Sequence, residues 1–195
     1  MNQKISDIVA RMKALEQELE TELAQAQEHV RYRLLGRKVQ FDPAELAQQR
    51  RYKVNLFLYA LLPRPRHVLT APFVFALLPP LLLLDLFASL YHAVCFPLLG
   101  IPKVRRRDYL IFDRHQLVYL NLLEMVNCAY CSYGNGLLSY LKEIVARTEQ
   151  YWCPIKHARR VIGTHARYAG FEDYGDAEGY QGRLVDLRKA LVKDE

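Results

Sequence analysis

The chain is poor in the features that usually announce an enzyme. Its nine glycines are scattered, so there is no glycine-rich loop whose backbone N–H groups would cradle a phosphate. It has no Gly-x-Ser-x-Gly elbow and no His-Glu-x-x-His pair, the common sequence marks of a serine hydrolase and a zinc protease. Ser132 rather than histidine follows Cys131, which excludes a c-type haem attachment. Four cysteines in 195 residues do not make a disulfide scaffold. No internal repeat occurs. The opening MNQKISDIVARMKALEQELE has no apolar core of the kind a secretory signal needs.

What the sequence does have is an apolar block. From Val68 to Leu99 it is almost unbroken, longer than the roughly 20 residues a membrane-spanning helix requires. Basic residues crowd both flanks: Arg50, Arg51, Lys53, Arg64 and Arg66 before it, Lys103, Arg105, Arg106 and Arg107 after it, in a chain of net charge +6. Anionic headgroups attract such clusters by roughly 1 kcal/mol per residue near the surface. Membrane lipid is therefore the expected partner, and nucleic acid the disfavoured one. Pro79-Pro80 removes two backbone donors, so a kink or break is expected there. The two topologies are a kinked span and a re-entrant hairpin. The balanced flanks give no orientation by the positive-inside rule; together with cysteine usage suited to a reducing compartment, they favour the hairpin, both ends cytoplasmic. The bland alternative is the core helix of a soluble protein. Within the block, Asp85 and His92 stand two helical turns apart on one side, with Cys95 beside them. Ionisable groups at membrane depth point to function by default, which makes Asp85 and His92 candidate cofactor-binding residues. The plainer reading is that they satisfy each other or a neighbouring helix.

The rest reads as all-α. Residues 1–40 form a long amphipathic helix, with Ile5, Ile8, Met12, Leu15, Leu19, Leu23, Ala26, Val30 and Leu34 in steps of three and four. Such a stripe either packs on its own domain or pairs in a coiled coil, which makes residues 2–35 the candidate route to a homo- or hetero-oligomer; Gly36 would end it. Residues 41–66 hold a helix opened by Asp42, Pro43 and Glu45 and running to about Leu62, then a proline-rich connector. Residues 67–100 are the membrane-embedded segment. Residues 101–170 are a helical Cys/His domain, with a short strand at 108–113, a helix from Arg114 to about Val126 capped by Asp113, a turn at Asn135-Gly136 and a helix from Leu137 to Tyr151. Residues 171–195 are an acidic tail with a short helix from Leu184 to Val192.

Three of the four cysteines fall in one stretch. Cys128-x2-Cys131 and Cys153-x3-His157 make a two-plus-two set of three thiolates and one imidazole, suited to tetrahedral zinc, with iron the alternative. All four positions would be filled, which argues for a structural metal. The set closes only if the chain folds back between the two pairs. If one helix continues through, Cys153 is carried away. Glu124, Glu149 and His157 are the catalytic candidates. The expected function is a membrane-associated zinc-binding scaffold or assembly factor, placed at the cell membrane with its metal site on the cytoplasmic side. Alternatives are a membrane-bound metalloenzyme acting on a lipid or quinone-like substrate, and a thiol redox protein using Cys128 and Cys131.

Overall fold

A computed structural model of the chain describes residues 3–28, 32–36, 38–55 and 65–193. The described residues are mostly helical. Helix α1 spans Gln3–Glu28, free of glycine and proline and rich in Ala, Leu, Glu and Gln, all good helix formers. Its stripe residues Ile8, Met12, Leu15, Leu19 and Leu23 are exposed. The helix does not continue to Leu34. Tyr32–Leu35 (β1) and Lys38–Phe41 (β2) pair antiparallel, Leu35 opposite Lys38. Gly36, expected as a helix cap, instead takes φ +63° in the two-residue loop of this hairpin, a geometry such loops demand. The sequence cue was the alternation in Lys38-Val39-Gln40-Phe41, whose valine and phenylalanine are half-buried while their neighbours are exposed.

Helix α2 covers Pro43–Arg51. Its start is where Asp42-Pro43 puts it, but Asp42 contributes its backbone carbonyl to Leu46 N–H (3.0 Å) and makes no side-chain cap. It stops at Arg51; the expected extension through VNLFLYALL falls at residues outside the described ones beyond Asn55.

The apolar block is helix α3, Pro65–Phe75, followed after Ala76 and Leu77 by helix α4, Leu78–Leu99. The prolines of the pair occupy the first turn of α4, where a missing N–H costs least. Helical hydrogen bonds bracket the irregularity, Ala76 N–H to Pro72 O (2.9 Å) and Leu81 N–H to Leu77 O (3.1 Å). The block is therefore a helical run of 32 residues, Val68–Leu99, with the Pro79-Pro80 pair inside a helix rather than at a turn.

The short strand at 108–113 does not form. Single 3-10 turns at Arg106–Asp108 and Arg114–Gln116 flank irregular chain. Asp113 sits at the head of the second turn, its carbonyl accepting Gln116 N–H at 3.0 Å without a side-chain cap, and the helix expected from Arg114 does not continue from it. Helix α5 starts at Leu122 and runs unbroken to Trp152. It passes through Asn135-Gly136, read from sequence as a turn. Each helical glycine costs about 1 kcal/mol relative to alanine. Burial outweighs it, since Gly136 is buried and Leu137, Tyr140 and Ile144 are almost wholly inaccessible. Pro154, buried, ends the run. Helix α6 spans Ala177–Lys193, longer than the sequence suggested. Asp176 opens it, accepting Gly179 N–H at 2.8 Å. The acidic stretch before it is anchored: Phe171 and Glu172 are buried, and Lys156 N–H and Glu172 N–H exchange carbonyl bonds with Glu172 and Pro154.

Two compact units emerge, each drawn from separated stretches of sequence. One contains Leu84–Tyr109 and Leu137–Glu195. Its core is Phe96, Ile101 and Val104 against Leu137, Tyr140 and Ile144, with Leu187 and Leu191 of α6. The other contains Lys13–Leu83 and Leu110–Gly136. In it Val39 N–H donates to Gln116 Oε1 (2.6 Å), the Tyr130 hydroxyl donates to Val74 O (2.7 Å), and the Phe75 and Tyr130 rings lie 5.2 Å apart.

Phe96 is 0 % exposed and Phe87, on the same helix, 65 %. In detergent, Phe96→Ala should cost about 3–5 kcal/mol, and Phe87→Ala much less, measured by thermal unfolding. Equal losses would contradict the packing described.

Candidate functional site

Helix α4 carries its few polar groups in one line. Asp85, Ser89, His92 and Phe96 recur at i, i+4, i+7 and i+11, one face of a helix. Every polar group on that face is met by protein. The Arg106 guanidinium grips Asp85 in a two-pronged ion pair, Nη1 on Oδ1 and Nη2 on Oδ2, the latter at 2.6 Å. Ser89 donates to Asp85 at 3.1 Å. Val104 N–H donates to His92 Nε2 at 2.9 Å. That bond requires an unprotonated Nε2, so the neutral ring carries its proton on Nδ1, 3.2 Å from the Tyr140 hydroxyl. The Arg106 guanidinium also lies 5.7 Å from the Tyr140 ring centre. Asp85 and His92, proposed as cofactor ligands, are therefore engaged in holding α4 to residues 101–109 and to α5.

The four cysteine and histidine candidates are not brought together. Cys128 and Cys131 lie inside α5, about two turns from its start, and Cys153 follows its last residue. Twenty-two residues (153 − 131) of continuous helix correspond to about 33 Å of axial rise. One zinc ion needs all its ligands within about 2.3 Å. No group of three or more His, Cys, Asp or Glu side chains suited to a metal occurs among the described residues. The fold-back that the spacing needed was the turn at Asn135-Gly136, and it is helix. The Cys128/Cys131 pair also lacks the helix N-terminal placement that activates a redox thiol.

Glu124 has a structural part. Its carboxylate accepts Asn121 N–H (2.9 Å), and Asn121 Oδ1 accepts Glu124 N–H (3.0 Å). This reciprocal capping box starts α5. The sequence pattern was present three residues apart, and the apolar run after it was the missed signal.

Glu149 and His157 do not touch but are linked through His165 and Tyr168. Glu149 Oε2 is 2.9 Å from His165 Nε2. His165 sits edge-on to Tyr168, which also stacks with the His157 ring, and the Tyr168 hydroxyl accepts His157 N–H at 2.6 Å. Nearly two turns earlier on α5, Glu143 Oε1 accepts from Arg147 (2.8 Å) and from both Nε and Nη2 of Arg167 (3.1 and 3.0 Å). Arg147 donates onward to Pro102 O, and Arg167 to Gln150 Oε1. Gln150 donates to Leu187 O on α6. The His165–Glu149 pair has the polarity of a base and its orienting carboxylate, but it is packed against Tyr168 and Phe171. As arranged, the network ties α5, the 153–176 segment and α6 together. Arg167 and Tyr168 come from a stretch without periodicity, so nothing in the sequence paired them with Glu143 or His157.

Burial shifts two phenols. Tyr109 is held above its ordinary 10.0 by burial and then by Glu143, and Tyr140 by burial, with Arg106 opposing. The Lys156 ammonium, hydrogen-bonded to Asp173, holds that carboxyl below its usual range.

No protein-family model matches the chain, and no curated protein or solved structure matches it significantly.

Two measurements follow. Spin labels at Cys131 and Cys153, with Cys95 and Cys128 replaced by serine, should report a separation of about 33 Å plus linker lengths. A distance under about 10 Å would restore the shared metal. Because the folded pKa of Tyr109 is raised, its neutral form stabilises the fold fully below about pH 10 and that contribution is lost as pH rises through the folded value. Alkaline titration should therefore show stability falling above about pH 10, with a shallower fall in Tyr109→Phe.

Proposed function

We propose that this chain is a membrane-anchored, non-catalytic interaction protein, a scaffold or assembly factor. The 32-residue helical run sits in the bilayer, the unit around α5 and α6 is the load the anchor holds, and α1 contacts protein. One observation carries the reading: the polarity of α4 is inverted. Its polar stripe faces protein, while Leu82, Leu83, Leu86, Phe87, Leu90 and Leu98 are exposed. The apolar window has a mean hydropathy of 2.2, and only 6 % of it is buried. A core helix of a soluble protein buries such a surface. A contiguous patch of this kind marks a membrane or a protein interface, and ionisable groups in membrane helices turn inward to partners as Asp85 and His92 do.

Zinc is not part of this reading, because Cys131 and Cys153 stand at a helix's length from each other. Enzymatic alternatives have no observation that favours them over the scaffold.

Expressed in cells, the chain should sediment with membranes and resist both high salt and alkaline carbonate. The pair Leu86→Glu and Leu90→Glu should release it, since each charge near the bilayer centre costs about 2.5–3.5 kcal/mol. Complete extraction of the unsubstituted chain by carbonate would defeat the membrane reading.

A further inference from the structure

Helix α1 has a charge order that works against a lone helix. From Gln3 to Lys13 it holds Lys4, Asp7, Arg11 and Lys13, a net of +2 by count (three positive, one negative). From Ala14 to Glu28 it holds Glu16, Glu18, Glu20, Glu22 and Glu28, a net of −5. Its first turn has no acidic residue and its last turn no basic one. A helix dipole is positive at the N-terminus and negative at the C-terminus, so an isolated helix gains from the reverse arrangement. In α1 the side-chain charge and the dipole have the same sign at each end. A parallel in-register partner would set five glutamates beside the same five.

We infer that α1 pairs head-to-tail with α1 of a second copy of this chain. The inference deepens the reading of α1 as a contact helix and names its partner. Antiparallel pairing sets each positive end against a negative one and opposes the two dipoles. The apolar stripe is nearly self-complementary about the point between Leu15 and Glu16, where the two copies of Leu15 stand one residue out of register. Ile8 falls opposite Leu23 of the second copy and Met12 opposite Leu19, all four exposed in the single chain. The residues bordering those layers agree. Met12 has Arg11 and Lys13 as sequence neighbours, and Leu19 has Glu18 and Glu20. Met12 and Leu19 are seven residues apart and so equivalent stripe positions, and the two-fold axis of an antiparallel pair puts the residues preceding them on the same side. Arg11 therefore meets Glu18 of the second copy, twice by symmetry. Over 26 residues, about 39 Å of helix, this seam is long enough for a two-stranded coil. An anionic bilayer is a poor competitor for the stripe, because the helix as a whole is net −3 (+2 − 5).

The test uses the full chain in detergent or nanodiscs, with Cys95, Cys128, Cys131 and Cys153 replaced by serine. Met12→Cys with Leu19→Cys, oxidised, should give a cross-link joining position 12 of one copy to position 19 of the other, identified in proteolytic fragments. Links of 12 to 12 and 19 to 19 would overturn the antiparallel arrangement, and a monomer at every concentration by sedimentation would overturn self-pairing. Arg11→Glu and Glu18→Arg should each weaken the dimer about tenfold or more, and the two together should recover most of the loss. Failure of the double variant to recover would also count against the proposal. Carbonate-resistant membrane retention, measured on the same variants, should not move, so loss of the anchor and loss of the pairing are read separately.

Discussion

Asp85 is the constraint around which the C-terminal unit is organised. A carboxylate in so apolar a helix is tolerable only with a partner supplied by the same chain. Arg106 supplies it with both prongs of its guanidinium, and to do so residues 101–106 must turn back along α4. That return seats Ile101 and Val104 in the core and aims Val104 N–H at His92. Tyr140, against the other ring nitrogen of His92, then fixes which face of α5 is presented. The ion pair, the Val104 bond that sets the His92 tautomer and the Tyr140 contact thus join the connector and α5 to one face of α4.

From α5 the same logic extends outward. Glu143 and Glu149 lie on turns of the helix from which Arg167 and His165 are gripped, and Gln150 reaches α6. These groups are the ones a search for catalytic residues would collect: carboxylates, histidines and arginines at close range. Their arrangement satisfies most of one another's hydrogen-bonding groups within the unit, the buried His165 Nδ1 being left without a hydrogen-bond partner. Polar density alone does not distinguish a reaction centre from a girder. The direction in which the hydrogen bonds are spent does.

Charge plays opposite parts at the two ends of the chain. Around the apolar run it solvates or anchors, with basic residues on both flanks. Along α1 it has the same sign as the helix dipole at each end, an electrostatic disadvantage of the lone helix that the proposed inverted neighbour would relieve.

Much of the helical content was legible in the sequence: the three-and-four spacing of α1, Asp42-Pro43 at the head of α2, the length of the apolar run. These are local properties, set by backbone donors and side-chain periodicity. The Asn121/Glu124 box was written there too but read as chemistry. What the sequence could not settle was everything that hinges on burial. Asn135-Gly136 is a turn by propensity and a helix by packing, because Leu137, Tyr140 and Ile144 bury more than two weak helix formers cost. That outcome separated Cys131 from Cys153 and dissolved a plausible zinc site. Likewise, spacing put Asp85 and His92 on one face, but only the tertiary structure assigned Arg106, Val104 and Tyr140 to them, since those contacts join residues with no periodic relation in the chain. Periodicity reports which face of an element is apolar; what lies against that face is decided by long-range packing, which no local window contains.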